Sequence, residues 1–198
     1  MTLPDEIQQR ISRESMMELP ILRYEGEVRL VAGPAEAERA LADILGEEVV
    51  GFDTETRPAF RKGESYRPSL AQFATAGAVY LFQLQRQDYS AAMREVLGAA
   101  RTVKAGVSLA DDLKSLRGLF EFEARAMLDV GHVARRHGLK QTGVRNLAGI
   151  FLGLRIPKGT KTSNWAAPRL SEQQIRYAAT DAWACRELAL AFRRLGLT

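Results

Sequence analysis

Val49-Val50-Gly51-Phe52-Asp53-Thr54-Glu55 runs from a short apolar stretch straight into two carboxylates. The apolar part has the length and character of a buried strand. Along a strand, residues i and i+2 face the same side, so Asp53 and Glu55 project together just beyond it. Two like charges that close repel each other unless a cation lies between them. Hard divalent cations such as Mg²⁺ take such oxygen ligands. Taken alone, the pair also fits a solvated strand end carrying two acids.

The elements around this stretch read as one α/β domain. Glu27 to Ala32 alternates as a strand, and Pro34 suits the first turn of a helix over Ala35 to Leu45. Ala37, Ala40, Leu41 and Ile44 share one face of that helix. Leu70 to Thr75 and Val79 to Leu84 are two strands joined at Gly77, the pattern of a hairpin. Tyr89 to Leu97 reads as helix and Arg101 to Val107 as strand. A further helix runs from Ser108, a suitable N-cap, to Leu116. Met127 to Asp129 forms a short strand, and Gly131 to His137 and Val144 to Leu152 form helices. A loop over Ile156 to Pro168 leads into a long helix, with Ser171 as N-cap and Gly196 as its stop. The expected architecture is a mixed central sheet flanked by helices, with a helical C-terminal half. Residues 1–26 form an N-terminal arm, with one amphipathic helix carrying Ile7, Ile11, Met16 and Met17 and breaking at Pro20. Residues 27–198 form the domain.

Composition narrows the function classes. In 198 residues there is one cysteine, Cys185, so an internal disulfide is impossible and a reducing, cytoplasmic setting is expected. The apolar stretches are too short for a membrane span, and the polar N-terminus reads as neither signal peptide nor lipidation site. The formal charge is only +4, but it is unevenly placed. Val130 to Ser171 holds no Asp or Glu and carries +8, through Arg135, Arg136, Lys140, Arg145, Arg155, Lys158, Lys161 and Arg169, which leaves −4 for the rest. Such a segment is either a solvated face or a footprint for a phosphate backbone.

Two further groups of acids follow the first. Asp111-Asp112 opens the helix after Ser108, where the macrodipole favours acids, although one would serve that purpose. Tyr177 and Asp181, four apart in Tyr-Ala-Ala-Thr-Asp-Ala, share a helix face, and the small residues between them allow close approach to another element. A phenol beside a carboxylate can hold and align an attacking water. A partly buried tyrosine packed beside a surface acid is the plainer alternative.

Phe52-Asp-Thr-Glu-Thr56, Ala110-Asp-Asp-Leu-Lys-Ser-Leu116 and Tyr177-Ala-Ala-Thr-Asp-Ala182 resemble the three motifs of the DEDD 3′–5′ exonucleases, in the branch with a tyrosine in the third motif. The resemblance extends from about Leu30 to Leu195. Thr162-Ser-Asn-Trp165, Leu170, Gln174 and Tyr177 resemble the pattern of the Werner-type exonuclease domain, and ribonuclease D is similar too. The resemblance implies a ribonuclease H-like fold and hydrolysis of phosphodiester bonds from a 3′ end. By position, Asp53, Glu55, Asp112 and Asp181 correspond to carboxylates that bind two divalent ions, Mg²⁺ or Mn²⁺, and Tyr177 to the residue that positions water. Asp112 is preferred to Asp111 because the family's acid precedes an apolar residue and a later leucine. Arg176 stands where the histidine branch has its histidine, so the tyrosine branch is the better match.

The implied partner is single-stranded or 3′-recessed nucleic acid. Lys158, Lys161, Trp165 and Arg169 are the expected contacts to it, with Arg57, Arg61, Lys62 and Arg67 as a second flank. The chain ends 17 residues after Asp181, without the helical domains of ribonuclease D, which tilts the expectation towards DNA. An RNA exonuclease and a catalytically silent nucleic-acid-binding module are the alternatives. The second is disfavoured because every expected acid is present.

Overall fold

The computed structural model describes residues 7–61, 63–157 and 163–198. Lys62, Lys158, Lys161 and Thr162 lie outside the described residues. Six strands form one mixed sheet: β1 (Glu27–Val31), β2 (Val49–Thr56), β3 (Pro68–Ala74), β4 (Ala78–Gln83), β5 (Val103–Gly106) and β6 (Met127–Asp129). Their spatial order is β1-β4-β3-β2-β5-β6. Only β3 runs against its neighbours, through the β3–β4 hairpin and its antiparallel pairing with β2. The helices are α1 (Arg13–Glu18), α2 (Pro34–Leu45), α3 (Ser90–Gly98), α4 (Leu109–Arg117), α5 (Val130–Arg136), α6 (Val144–Leu147) and α7 (Glu172–Arg194). A single π turn, Ala148–Leu152, continues α6.

Strand alternation sorts the core into two layers. Val50 and Phe52 of β2 join Phe73 and Phe82 in the layer under α2, α3 and α4. Phe52 stacks on Phe73 at 5.0 Å, and Phe82 meets both Phe73 and Tyr89 edge-on. On the opposite face, Leu70, Ala74, Val79 and Leu81 pack against Ala178, Ala179 and Ala182 of α7. These alanines let α7 lie close to the strands. Gly51 completes that contact, because a Cβ there would fall 1.8 Å from the Ala182 carbonyl oxygen. Ser171 and Gln174 form a reciprocal capping box that starts α7, and Gly196 follows it in the left-handed conformation (φ 66°).

Three local expectations need correction. The β2 strand does not stop at Phe52 but pairs with β3 through the acids, in the register Asp53↔Gln72 and Glu55↔Leu70, before a bulge at Glu55/Thr56. Ser108 does occupy the N-cap of α4, but in the left-handed region (φ 60°) and without a capping hydroxyl. The Asp129 carboxylate caps instead, accepting from Leu109 N at 3.1 Å and from His132 N at 2.9 Å. Among the described residues of the arm, only Arg13–Glu18 is helical, and Ile11 precedes it.

Lys104 of β5 is fully buried, and its Nζ donates to the Ala99 carbonyl at 2.5 Å. Burial pulls its pKa down to about 8 from the usual 10.5. Below pH 8 both folded and unfolded chains hold the proton, so the full cost of burying the charge is present. Between about pH 8 and 10.5 the unfolded chain binds more protons, and stability rises with pH. Lys104→Met should therefore gain about 1–2 kcal/mol at pH 7, and urea titrations should find its stability flat across that window. A variant that is less stable than wild type at pH 7 would contradict this.

Candidate active site

Alternation along β2 places its two kinds of polar side chain on opposite faces. Asp53 and Glu55 share the side of Gly51, which faces α7, while Thr54 shares the side of Phe52, which faces α4. From α7, Asp181 completes a group of three: one carboxylate oxygen from each of Asp53, Glu55 and Asp181 lies within 4.8 Å of the others. Glu55 and Asp181 are buried. From α4, Asp112 is held by the Thr54 hydroxyl, which donates to its Oδ1. Asp112 stands outside the group of three, and its neighbour Asp111 points into solvent. Thr54, the middle residue of Asp-Thr-Glu, thus has a positioning task that spacing arguments about the acids do not find.

The electrostatics favour a cation. Burial pushes the Asp53 carboxyl well above its usual range, and Asp181, Glu55 and Asp112 push it further. Burial also raises Asp112, against the pull of the Thr54 hydroxyl. Three crowded, largely desolvated carboxylates form an all-oxygen donor set whose repulsion a divalent ion would relieve, so these residues fit Mg²⁺ or Mn²⁺. Binding would release the protons that crowding retains.

Tyr177 lies one helical turn before Asp181 and lines the same cleft. Burial, and then the charges of Asp181, Glu55 and Asp53, raise its pKa, so the phenol stays protonated and remains a donor. Trp165 packs on it with ring centroids 5.9 Å apart. At 1% exposure Trp165 is a core residue and presents no open face on which a base could stack. Its effect is to fix the tyrosine ring. Arg169 is exposed on the loop before α7 and does not line the cleft; nor do Arg57, Arg61 and Arg67. Of the described basic residues between Val130 and Ser171, Arg145 and Arg155 do line it. Cys185 is buried beside the acids, and burial pushes its thiol pKa up, which leaves it unsuited to act as a nucleophile.

A mixed sheet carrying carboxylates on its central strand, with a further acid supplied by a helix laid across it, defines a nuclease of the ribonuclease H-like kind. More narrowly, the chain belongs to the 3′–5′ exonuclease family, hydrolases of phosphodiester bonds, whose profile matches residues 28–196. It is similar to the exonuclease mut-7 homolog of Aedes aegypti, 28% identical over 189 residues, covering 83% of this chain and 26% of that protein. It is also similar to the mouse bifunctional 3′-5′ exonuclease/ATP-dependent helicase WRN, 28% identical over 177 residues, covering 84% of this chain and 13% of that protein. The chain therefore spans about a quarter or less of the length of these relatives. The crystal structure of the Aedes aegypti Nibbler EXO domain has the same fold, with a TM-score of 0.77 at 23% identity, over 89% of this chain and 91% of that one.

Proposed function

We propose that the chain removes nucleotides one at a time from the 3′ end of single-stranded or 3′-recessed DNA, using two divalent ions. The observation that carries this reading is the grouping of Asp53, Glu55 and Asp181 beside Tyr177 in one open cleft. When bound, the ions supply Lewis acidity at the attacking and leaving oxygens. Asp53, Glu55 and Asp181 hold them, and Asp112, steadied by Thr54, is the fourth carboxylate. Tyr177 holds the attacking water by hydrogen bonding and orients it towards the phosphorus. Its neutral phenol positions that water without competing for its proton. The cleft, about 1220 Å³, exceeds the usual ~300–1,000 Å³ of a small-molecule pocket, which favours a polymer over a mononucleotide. DNA as the substrate rests on the resemblance to the Werner-type pattern and on the similarity to WRN.

The test is digestion of matched 5′-labelled single-stranded DNA, recessed duplex DNA and RNA with Mg²⁺ or Mn²⁺. A ladder shortening from the 3′ end, faster on DNA than on RNA and abolished by EDTA, is expected. A faster ladder on RNA would reassign the substrate, and binding without any cleavage would make the chain a silent module. Tyr177→Phe should lower kcat by about 10²-fold, in the 10²–10⁴ range of positioned proton-handling groups, with KM little changed. An equal rise in KM would instead make Tyr177 a substrate-binding residue.

A further inference from the structure

The arm before β1 is tied along the basic part of the chain. Ile11 N donates to the Gln141 side chain at 2.9 Å, and Lys140 N donates to the Gln9 carbonyl at 3.3 Å. Met16 and Ile11 fit against Gly149, where a Cβ would lie 2.7 Å from Met16 Cε. Ile21 bridges to Arg155 as an added strand residue, through Leu22 N to Arg155 O (3.0 Å) and Arg155 N to Pro20 O (2.9 Å). Tyr24 N donates to Thr180 Oγ1 on α7 at 2.9 Å. These partners are 130 or more residues away in sequence, so the arm has one defined course across the domain.

That course makes α1 a wall of the active-site cleft. Ile11, Arg13, Met17 and Ile21 line the same cavity as Asp53, Glu55, Tyr177 and Asp181. Met17 and Ile21 are 60% and 56% exposed, large apolar side chains left open in the cleft that also holds the acids. Arg13, Arg145 and Arg155 line it as well, and none of them is in an ion pair among the described residues. Arg145 uses its Nε on the Ile156 carbonyl, and Arg155 places one terminal nitrogen 2.9 Å from Met17 Sδ. The cleft thus has carboxylates on one side and cations interleaved with apolar side chains on the other. Cations for phosphates and apolar surfaces for bases are what a single strand requires.

We infer that the arm is a substrate-binding element of this nuclease: Arg13, Met17 and Ile21 hold the nucleotides beyond the first on the 5′ side of the one being removed, with Arg145 and Arg155 on their phosphates. This rests on the proposed exonuclease reading and adds a second subsite to it. The arm serves binding of the strand, and the acids serve the chemistry. A substrate too short to reach the arm loses nothing when the arm is altered.

The experiment compares wild type with R13A/M17A/I21A on a 5′-labelled 12-nucleotide single strand and on a dinucleotide, both with Mg²⁺. Anisotropy with the 12-mer in Ca²⁺ over a salt series gives binding alone. The triple variant should raise the 12-mer KM at least about tenfold and lessen the salt dependence of binding, with dinucleotide kcat/KM within about twofold of wild type. Arg13→Glu, on an exposed side chain, repeats the test without a packing change and should weaken 12-mer binding most at low salt. Unchanged 12-mer KM in both variants, or equal losses on the 12-mer and the dinucleotide, would overturn the inference and leave the exonuclease reading intact. If wild type degrades neither substrate, the exonuclease reading fails, and the inference fails with it.

Discussion

Asp53→Asn is expected to lower the exonuclease rate by on the order of a thousandfold while raising the melting temperature of the cation-free protein. Both effects have one cause. Asp53 is pressed between Glu55, its neighbour on the same strand face, and Asp181 from α7, with Asp112 adding to the repulsion. Its charge costs folding free energy until a cation balances it, and that same uncompensated charge is what binds the cation. The amide keeps the shape and removes the charge. A gain of about 1 kcal/mol would lift the melting temperature by about 2–4 °C in a domain of this size. Loss of a central electrostatic stabiliser accounts for at least 10²–10³ in rate. The measurement is a melting curve with and without excess Mg²⁺, alongside steady-state cleavage. Wild type should gain stability on adding Mg²⁺, and Asp53→Asn should gain little. A variant that melts lower without metal, or cleaves within tenfold of wild type, would mean the three acids do not work as one charged unit.

The acids themselves were legible because their spacing follows from backbone geometry. The i, i+2 relation on a strand and the i, i+4 relation on a helix each put two groups on one face, and α7 brings the two faces together. The support around them was not legible. Thr54 and Asp112 meet only because β2 continues past Phe52, and an apolar-run reading ends at the first charge. Pairing with β3 carries the strand on to Thr56. Trp165 reads equally well as an aromatic for stacking or for packing. Its 1% exposure is set by β3, β4 and α7 closing around it, contacts distant in sequence. The basic segment showed its sign but not its direction: Arg145 and Arg155 turn into the cleft, while Arg135, Arg136 and Lys140 point to solvent. For the arm, local periodicity proposed a longer helix around Ile7, Ile11, Met16 and Met17, but hydrogen bonds to Gln141 and Arg155 hold residues on either side of α1 extended. In each case the deciding contact is tertiary, and local pattern has no access to it.

Gly51→Ala should destabilise the fold by at least about 3 kcal/mol, lowering the melting temperature by roughly 6–12 °C. The backbone at Gly51 is ordinary strand, so the cost is one of space alone. A methyl group there would sit 1.8 Å from the Ala182 carbonyl oxygen, 2.8 Å from its carbon and 2.9 Å from Arg186 N. All three are backbone atoms of α7, and no side chain can swing aside to relieve the clash. The helix must lift away from β2, and Asp181, the residue before Ala182, lifts with it. The variant should therefore lose divalent-ion binding beyond what its stability predicts, since Asp181 withdraws from Asp53 and Glu55. Gly77→Ala is the matched control, because a Cβ there meets nothing within 4 Å, and it should stay within about 0.5 kcal/mol of wild type. Calorimetric melts of both variants, followed by Mn²⁺ titration of Gly51→Ala well below its melting temperature, separate the two effects. Wild-type Mn²⁺ affinity in a destabilised Gly51→Ala would show that α7 can shift without moving its carboxylate. A melting temperature within 2 °C of wild type, below the ~2–4 °C that even 1 kcal/mol produces, would show that α7 is not seated against Gly51 at all.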